Sequence, residues 1–200
     1  LKETDAYPAN PEDGYGWEKL FSERMCRHFY EDLGLKTYVA RFHNIFGPLG
    51  TFDGGREKSP AALCRKIALS KKNNSEAIEI WGDGEQTRSY LYIDDCIDAV
   101  LKLLDSDFHD PINIGSEEQV SINQMVDIIE KISKHKAKRT YNLDMPQGVR
   151  GRSSNNDLIK EVLDWSPSYS LESGLEQTYT WIEYMINSEK NNGSIFTMSY

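Results

Sequence analysis

Two hundred residues suit one domain or the larger part of a two-lobed enzyme. Aliphatic, aromatic and Cys residues at 38% supply a real core, which excludes a disordered tail and a disulfide-stapled mini-domain. The 23 basic and 32 acidic residues leave a net charge of −9, which argues against a nucleic-acid partner. No apolar run approaches the ~20 residues that cross a bilayer, so no membrane partner is expected.

Residues 1–14 are rich in Pro, Asp, Glu and Asn and read as a surface loop. A helix starts at Tyr15. Its Leu20, Met25, Phe29, Tyr30 and Leu33 fall on one side, and Gly34 suits a C-cap. Lys36–Phe42 is a β-type run. His43–Lys58 is a Gly-rich loop whose length points to function. Ser59-Pro60 opens a second helix, with Ser as cap and Pro at its first position, running to about Ser70. A short strand at 78–81, a Gly82-Asp83-Gly84 turn and a strand at 88–93 follow, and Asp94 caps a helix to about Leu104. Pro111–Ile114 is a short strand. Ser121 and Gln124 form a capping box ahead of Met125, Ile128, Ile129 and Ile132. A strand at 138–142 and helices over 157–163 and 171–187 close the pattern, with a polar tail at 188–200. Alternating strands and helices predict an α/β fold with parallel pairing.

Cys26, Cys64 and Cys96 match no zinc or redox spacing and read as thiols of a reducing, cytoplasmic compartment, with Cys26 in the core. His28, His109 and His135 read as surface residues, and His43 as orienting the loop after its strand. Neither a metal cluster nor a leader peptide is apparent. The chain opens without Met inside a loop and reads as a piece of something longer.

Tyr15 and Lys19 stand at i, i+4 and share one helical face. An ammonium beside a phenol favours the phenolate, the form that acts as a general base. Alone the spacing is a weak signal. Downstream, in order, come Arg41-Phe42-His43-Asn44-Ile45-Phe46-Gly47-Pro48, Gly54-Gly55-Arg56-Glu57-Lys58-Ser59-Pro60, Trp81 through Tyr90 with Gly82-Asp83-Gly84 and Gln86-Thr87-Arg88-Ser89, and Asn113-Ile114-Gly115-Ser116. This succession, over residues 1–186, resembles the nucleotide-sugar epimerases and dehydratases of the extended short-chain dehydrogenase/reductase family. Within it, the loop before Ser59, the Gln86–Ser89 run and Val149-Arg150-Gly151-Arg152 look most like the GDP-mannose 3,5-epimerases.

The resemblance implies a mechanism and a fold. Tyr15 would take the proton of the sugar C4 hydroxyl while NAD takes the C4 hydride. Lys19 would contact the nicotinamide ribose. The 4-keto sugar then has acidified C–H bonds at C3 and C5, and Lys58 would serve as one acid/base. Its partner in the family is a Cys ahead of the catalytic Tyr, in a segment these residues do not include. Asn44, Glu57, Lys58, Ser59, Lys66, Gln86, Arg88 and Arg152 would contact the nucleotide-diphosphate sugar, with arginine suited to phosphate. Residues 1–50 would end a Rossmann-type doubly wound sheet, 51–187 would be mostly a smaller substrate-binding lobe with segments returning to the sheet, and a homodimer is expected. No Gly-x-Gly-x-x-Gly occurs in the sequence, so the half that cradles the dinucleotide pyrophosphate is missing. A sugar 4-epimerase or 4,6-dehydratase stays open as an alternative, as does a non-catalytic sugar-nucleotide-binding or dimerisation module.

Overall fold

The computed structural model describes residues 1–11, 13–75, 77–145, 148 and 150–188. After a short 3₁₀ turn at Glu3–Ala6, the elements run α1 (Gly14–Leu33), β1 (Ala40–Phe42), β2 (Ile45–Phe46), α2 (Ser59–Asn73), β3 (Ala77–Trp81), β4 (Thr87–Ser89), β5 (Leu91–Tyr92), α3 (Ile93–Leu104), β6 (Ile112–Ile114), β7 (Gln119–Ser121), α4 (Ile122–Ser133), β8 (Lys138–Asn142), β9 (Gly151–Arg152), α5 (Asp157–Leu163) and α6 (Leu171–Ser188). The α/β expectation holds, with two parallel ladders. The expected tail lies outside the described residues from 189 onward.

Two compact units interleave along the chain. The first comprises Leu1–Ile45, Ser89–Glu118 and Arg152–Ser168. Its β1 pairs in parallel with β6, Ala40 opposite Ile112 and Phe42 opposite Ile114. Leu91, Cys96, Ala99, Leu103, Ile112, Ile114, Ile159 and Trp165 form its core, drawn from β5, α3, β6, α5 and the turn after it. The Trp165 indole N–H reaches Asp98 at 2.9 Å, which satisfies the one polar group that burying Trp165 would otherwise leave unpaired. Asp94 is not the cap of α3. That helix begins at Ile93, with Asp94 and Asp95 inside its first turn, where acidic side chains favour the positive end of the helix dipole. Asp95 is buried and accepts from the Ser168 backbone and hydroxyl at 3.0 and 2.6 Å.

Helix α1 starts on Asp13, whose carboxylate accepts the Gly16 N–H at 2.9 Å. It ends on Gly34 at φ 66°, a left-handed position that glycine takes without a Cβ penalty. None of its residues is buried. Its apolar side stands open, with Phe21 66% and Leu33 71% exposed, and Cys26 is half-buried, not core. Ion pairs hold the helix instead. The Arg41 guanidinium grips Glu23 with contacts of 2.9 and 2.6 Å, and Arg27 reaches Asp110 at 3.1 Å. The strand expected from Lys36 forms only from Ala40. Lys36 and Thr37 instead spend polar groups on Asp107 and on the Cys26 carbonyl. His109 packs between Tyr30 and Tyr38 and bonds the Thr37 carbonyl, so it is not a surface residue.

The second unit comprises residues 46–88, 119–151 and 169–200. In it β3 pairs in parallel with β8, from Ala77 opposite Lys138 to Trp81 opposite Asn142. Helices α2, α4 and α6 pack on one another through fully buried Ile67, Met125, Ile129, Leu175 and Ile182. The Ser121–Gln124 capping box forms as expected. Helix α2 differs from expectation at both ends. Lys58, not Ser59, is its N-cap residue, and the helix runs to Asn73 before Asn74 turns left-handed. His135 is part-buried against the Ser70 hydroxyl at 2.9 Å, leaving only His28 well exposed among the three expected at the surface.

Candidate active-site residues

The first unit carries Tyr15, Lys19, Asn44 and Arg152. Tyr15 and Lys19 occupy the first turns of α1, both well exposed. The helical spacing brings the Lys19 ammonium 5.2 Å from the centre of the Tyr15 ring, and Glu18 lies 3.4 Å from the same ammonium. The pair presents a proton-transfer group and a charge on one exposed helical face.

Asn44 stands two residues past β1 in the left-handed region, φ 48°, a conformation Asn tolerates better than most residues. Its side-chain N–H donates to the Ser89 carbonyl at 2.9 Å, and its own carbonyl accepts from the Leu91 N–H at 3.2 Å. Both contacts fix the loop that leaves β1. Beside it, burial pushes the His43 imidazole below its ordinary value, against the hydrogen bond with Asn113 and with help from the positive charge of Arg152. Arg152 itself is exposed. Gly115 makes room here. A Cβ on it would stand 2.6 Å from that of Ser154 and 2.8 Å from that of His43.

The second unit carries Glu57, Lys58, Ser59, Lys66, Gln86 and Arg88. Lys58 and Ser59 are exposed at the start of α2. The Lys58 carbonyl accepts the Ala62 N–H at 2.9 Å, while its ammonium has no partner among the described residues. Glu57 is held by both the loop and α2. Its carboxylate takes the Gly55 N–H at 2.7 Å and the Arg65 guanidinium at 3.1 Å, and its side chain is only 10% exposed. Lys66 donates to the Glu79 carbonyl at 2.7 Å and lies 5.8 Å from the centre of the Trp81 ring. Partial burial pulls its ammonium below the ordinary value, with the Glu79 carboxylate opposing. Gln86 is buried, donates to the Trp81 carbonyl at 3.0 Å, and leaves its side-chain oxygen unpartnered. Arg88 donates to the Thr87 carbonyl at 2.7 Å and borders Gly148, where a Cβ would stand 3.2 Å away. Arg150 pairs with Asp83 at 2.7 Å. Val149, part of the basic segment noted in the sequence, lies outside the described residues.

Sequence reasoning passed over Arg65 and Asp53, which pair at 3.3 Å. Their signal is faint, because an Arg on an amphipathic helix looks the same whether it faces solvent or a loop. Among the described residues no group of His, Cys, Asp and Glu could hold a metal ion, and no helix is long and apolar enough to cross a membrane.

The sequence matches the model of the NAD dependent epimerase/dehydratase family over residues 1–115. It is 50% identical over 194 residues to GDP-mannose 3,5-epimerase of Arabidopsis thaliana, covering 97% of this chain and 50% of that protein. It is 50% identical over 193 residues to GDP-mannose 3,5-epimerase 1 of Oryza sativa subsp. japonica, again covering 50% of that protein. The chain spans about half the length of the curated relatives it matches. Among solved structures, UDP-glucose 4-epimerase of Thermotoga maritima with UDP-glucose superposes with a TM-score of 0.81 at 28% identity, over 88% of this chain and 55% of that one. UDP-glucuronic acid 4-epimerase of Bacillus cereus, in complex with UDP-glucuronic acid and NAD, gives 0.73 at 27% identity, over 88% and 54%. The likeness carries the Rossmann-type α/β fold to this chain.

Proposed function

The chain belongs to the NAD dependent epimerase/dehydratase family, and on that premise we propose that it is the C-terminal part of an NAD-dependent nucleotide-sugar epimerase that inverts C3 and C5 of a GDP-mannose-type substrate. The observation that carries the reading is the Lys19 ammonium set 5.2 Å from the Tyr15 ring at the open start of α1. The similarity to the plant 3,5-epimerases supports the substrate class.

Tyr15 removes the proton from the C4 hydroxyl oxygen, and Lys19 stabilises the phenolate that does so. NAD, when bound, supplies the acceptor and later the donor for the hydride at C4. The resulting C4 carbonyl acidifies the C–H bonds on either side, at C3 and C5. Lys58, exposed and without a counter-ion among the described residues, moves a proton at one face of the ring. Arg88, Lys66 and Arg152 serve the diphosphate and nucleotide, where cations must offset a chain charge of −9. Tyr15 and Lys19 fit the nicotinamide-ribose end of the cofactor. For its pyrophosphate these residues supply no glycine-rich strand-to-helix turn, so the reading places that cradle elsewhere in the whole protein. Residues 1–50 belong, in this reading, to the cofactor-binding domain and 51–187 mostly to the substrate lobe. The open apolar side of α1 is the natural face of a homodimer, and the unpaired thiols Cys64 and Cys96 suit a cytoplasmic protein.

The test is product analysis. The whole protein that carries this sequence, given GDP-mannose and NAD, should yield sugars inverted at C3 and C5 by NMR. A product inverted at C4 alone, or a 4-keto-6-deoxy product, would replace this reading with the 4-epimerase or the dehydratase, and no conversion would leave the non-catalytic module.

A further inference from the structure

The loop before α2 is tied to that helix through two carboxylates that meet Arg65. Asp53 accepts the Gly54 N–H at 2.8 Å and lies 3.3 Å from one terminal nitrogen of Arg65. Glu57 accepts the Gly55 N–H at 2.7 Å with one oxygen and the other terminal nitrogen of Arg65, at 3.1 Å, with its second. Arg65 sits two turns along α2, the helix that Lys58 caps. Gly54 and Gly55 have φ of 94° and 82°, so the turn between the two carboxylates bends sharply through positions that only glycine takes readily.

We infer that Arg65 is the positioning residue for Lys58: it clamps Asp53 and Glu57 on either side of the Gly54–Gly55 turn and so fixes where the Lys58 side chain leaves the loop. Three features favour this over a general stabilising ion pair. Lys58 follows Glu57 directly and is held on its other side by the Ala62 N–H on its carbonyl, so its backbone is fixed at both ends while its ammonium has no partner among the described residues. One terminal nitrogen of Arg65 donates to Glu57 and the other pairs with Asp53, while its buried Nε has no partner among the described residues, so both terminal nitrogens of the guanidinium are turned to the loop. A planar guanidinium can hold two carboxylates at once, which an ammonium does poorly.

The inference rests on the role proposed for Lys58, and the experiment separates the two. In the whole protein, deuterium entry from solvent at C3 and C5 of the sugar is followed together with reduction of bound NAD. Lys58→Met should abolish entry at one ring position. Arg65→Met should lower entry at that same position on the order of 100-fold, as expected for a misplaced acid/base, while nicotinamide reduction persists. Arg65→Lys and Asp53→Asn, which each leave part of the clasp, should fall between. In the whole protein, amide hydrogen exchange over residues 51–58 should also accelerate in Arg65→Met while the body of α2 keeps its protection. If Lys58→Met leaves deuterium entry intact, the proposed role of Lys58 fails and the inference with it. If Lys58→Met loses entry but Arg65→Met and Asp53→Asn keep it, the clasp does not position Lys58 and the inference alone is overturned. Equal loss of reduction and entry in both clasp variants also overturns it, since that is general structural damage.

Discussion

Lys19 holds its ammonium 5.2 Å from the ring of Tyr15, one turn earlier on α1. Tyr15→Phe keeps the ring under that charge and removes only the ionisable hydroxyl. Loss of a general base lowers turnover by ~10²–10⁴-fold. The variant should therefore lose reduction of bound NAD, followed by nicotinamide absorbance, while nucleotide-sugar affinity changes little. A near-normal rate would show that Tyr15 is not the base.

Lys58 acts after oxidation in the proposed mechanism. Lys58→Met should therefore retain measurable reduction of bound NAD and lose solvent deuterium at one ring position. Normal exchange at both C3 and C5 would leave Lys58 as no more than a substrate contact.

Gly115→Ala tests the packing beneath the loop that carries Asn44. The new methyl would sit 2.6 Å from the Ser154 Cβ and 2.8 Å from the His43 Cβ, both atoms close to the backbone and unable to swing away. Overpacking of this kind costs ~1–3 kcal/mol, read as a lower denaturation midpoint. An unchanged midpoint would mean that this region repacks freely.

Glu183 gives a pH-dependent test. Its carboxyl is pulled up by burial, but the hydrogen bonds from Lys71 and Tyr179 outweigh that and hold it below its ordinary value. A carboxyl depressed on folding adds stability above its unfolded value, near ~4.3, and loses it as pH falls through the folded value. Glu183→Gln should therefore be less stable than the parent at neutral pH, by ~0.2–1 kcal/mol for a part-exposed pair. The gap should close as pH drops below ~4.3. A gap that persists in acid would assign the loss to packing.

The 200-residue chain by itself should bind NAD poorly and turn over no nucleotide sugar. A dinucleotide pyrophosphate needs backbone N–H groups at a helix start, and the sequence has no Gly-x-Gly-x-x-Gly to shape one. Nucleotide-sugar binding should survive weakly, through Lys66, Arg88 and Arg152. Calorimetry of the chain with NAD and, separately, with GDP-mannose measures both. Micromolar NAD binding would reveal a cofactor site that the motif reading misses.

Sequence alone determined the alternation of elements, because helix and strand periods are local. The Ser121–Gln124 box, the Gly34 cap, β8 at 138–142 and α5 at 157–163 all follow from neighbours within a few positions. It also determined the family resemblance, through the order of short motifs. What it left undecided depends on residues far apart. Of the run expected from Lys36, only Ala40–Phe42 stand in register with β6, although the Val39 carbonyl also accepts the Ile112 N–H at 3.0 Å. Asp94 gave up its expected cap to Tyr92, since the helix starts where β5 ends. Cys26 reads as core in the sequence, yet it is half-buried on a helix that is held by Arg41–Glu23 and whose apolar side is open. A helical stripe records that a face is apolar and not what covers it. Likewise only the fold brings Arg65, two turns along α2, round to pair with Glu57 beside Lys58.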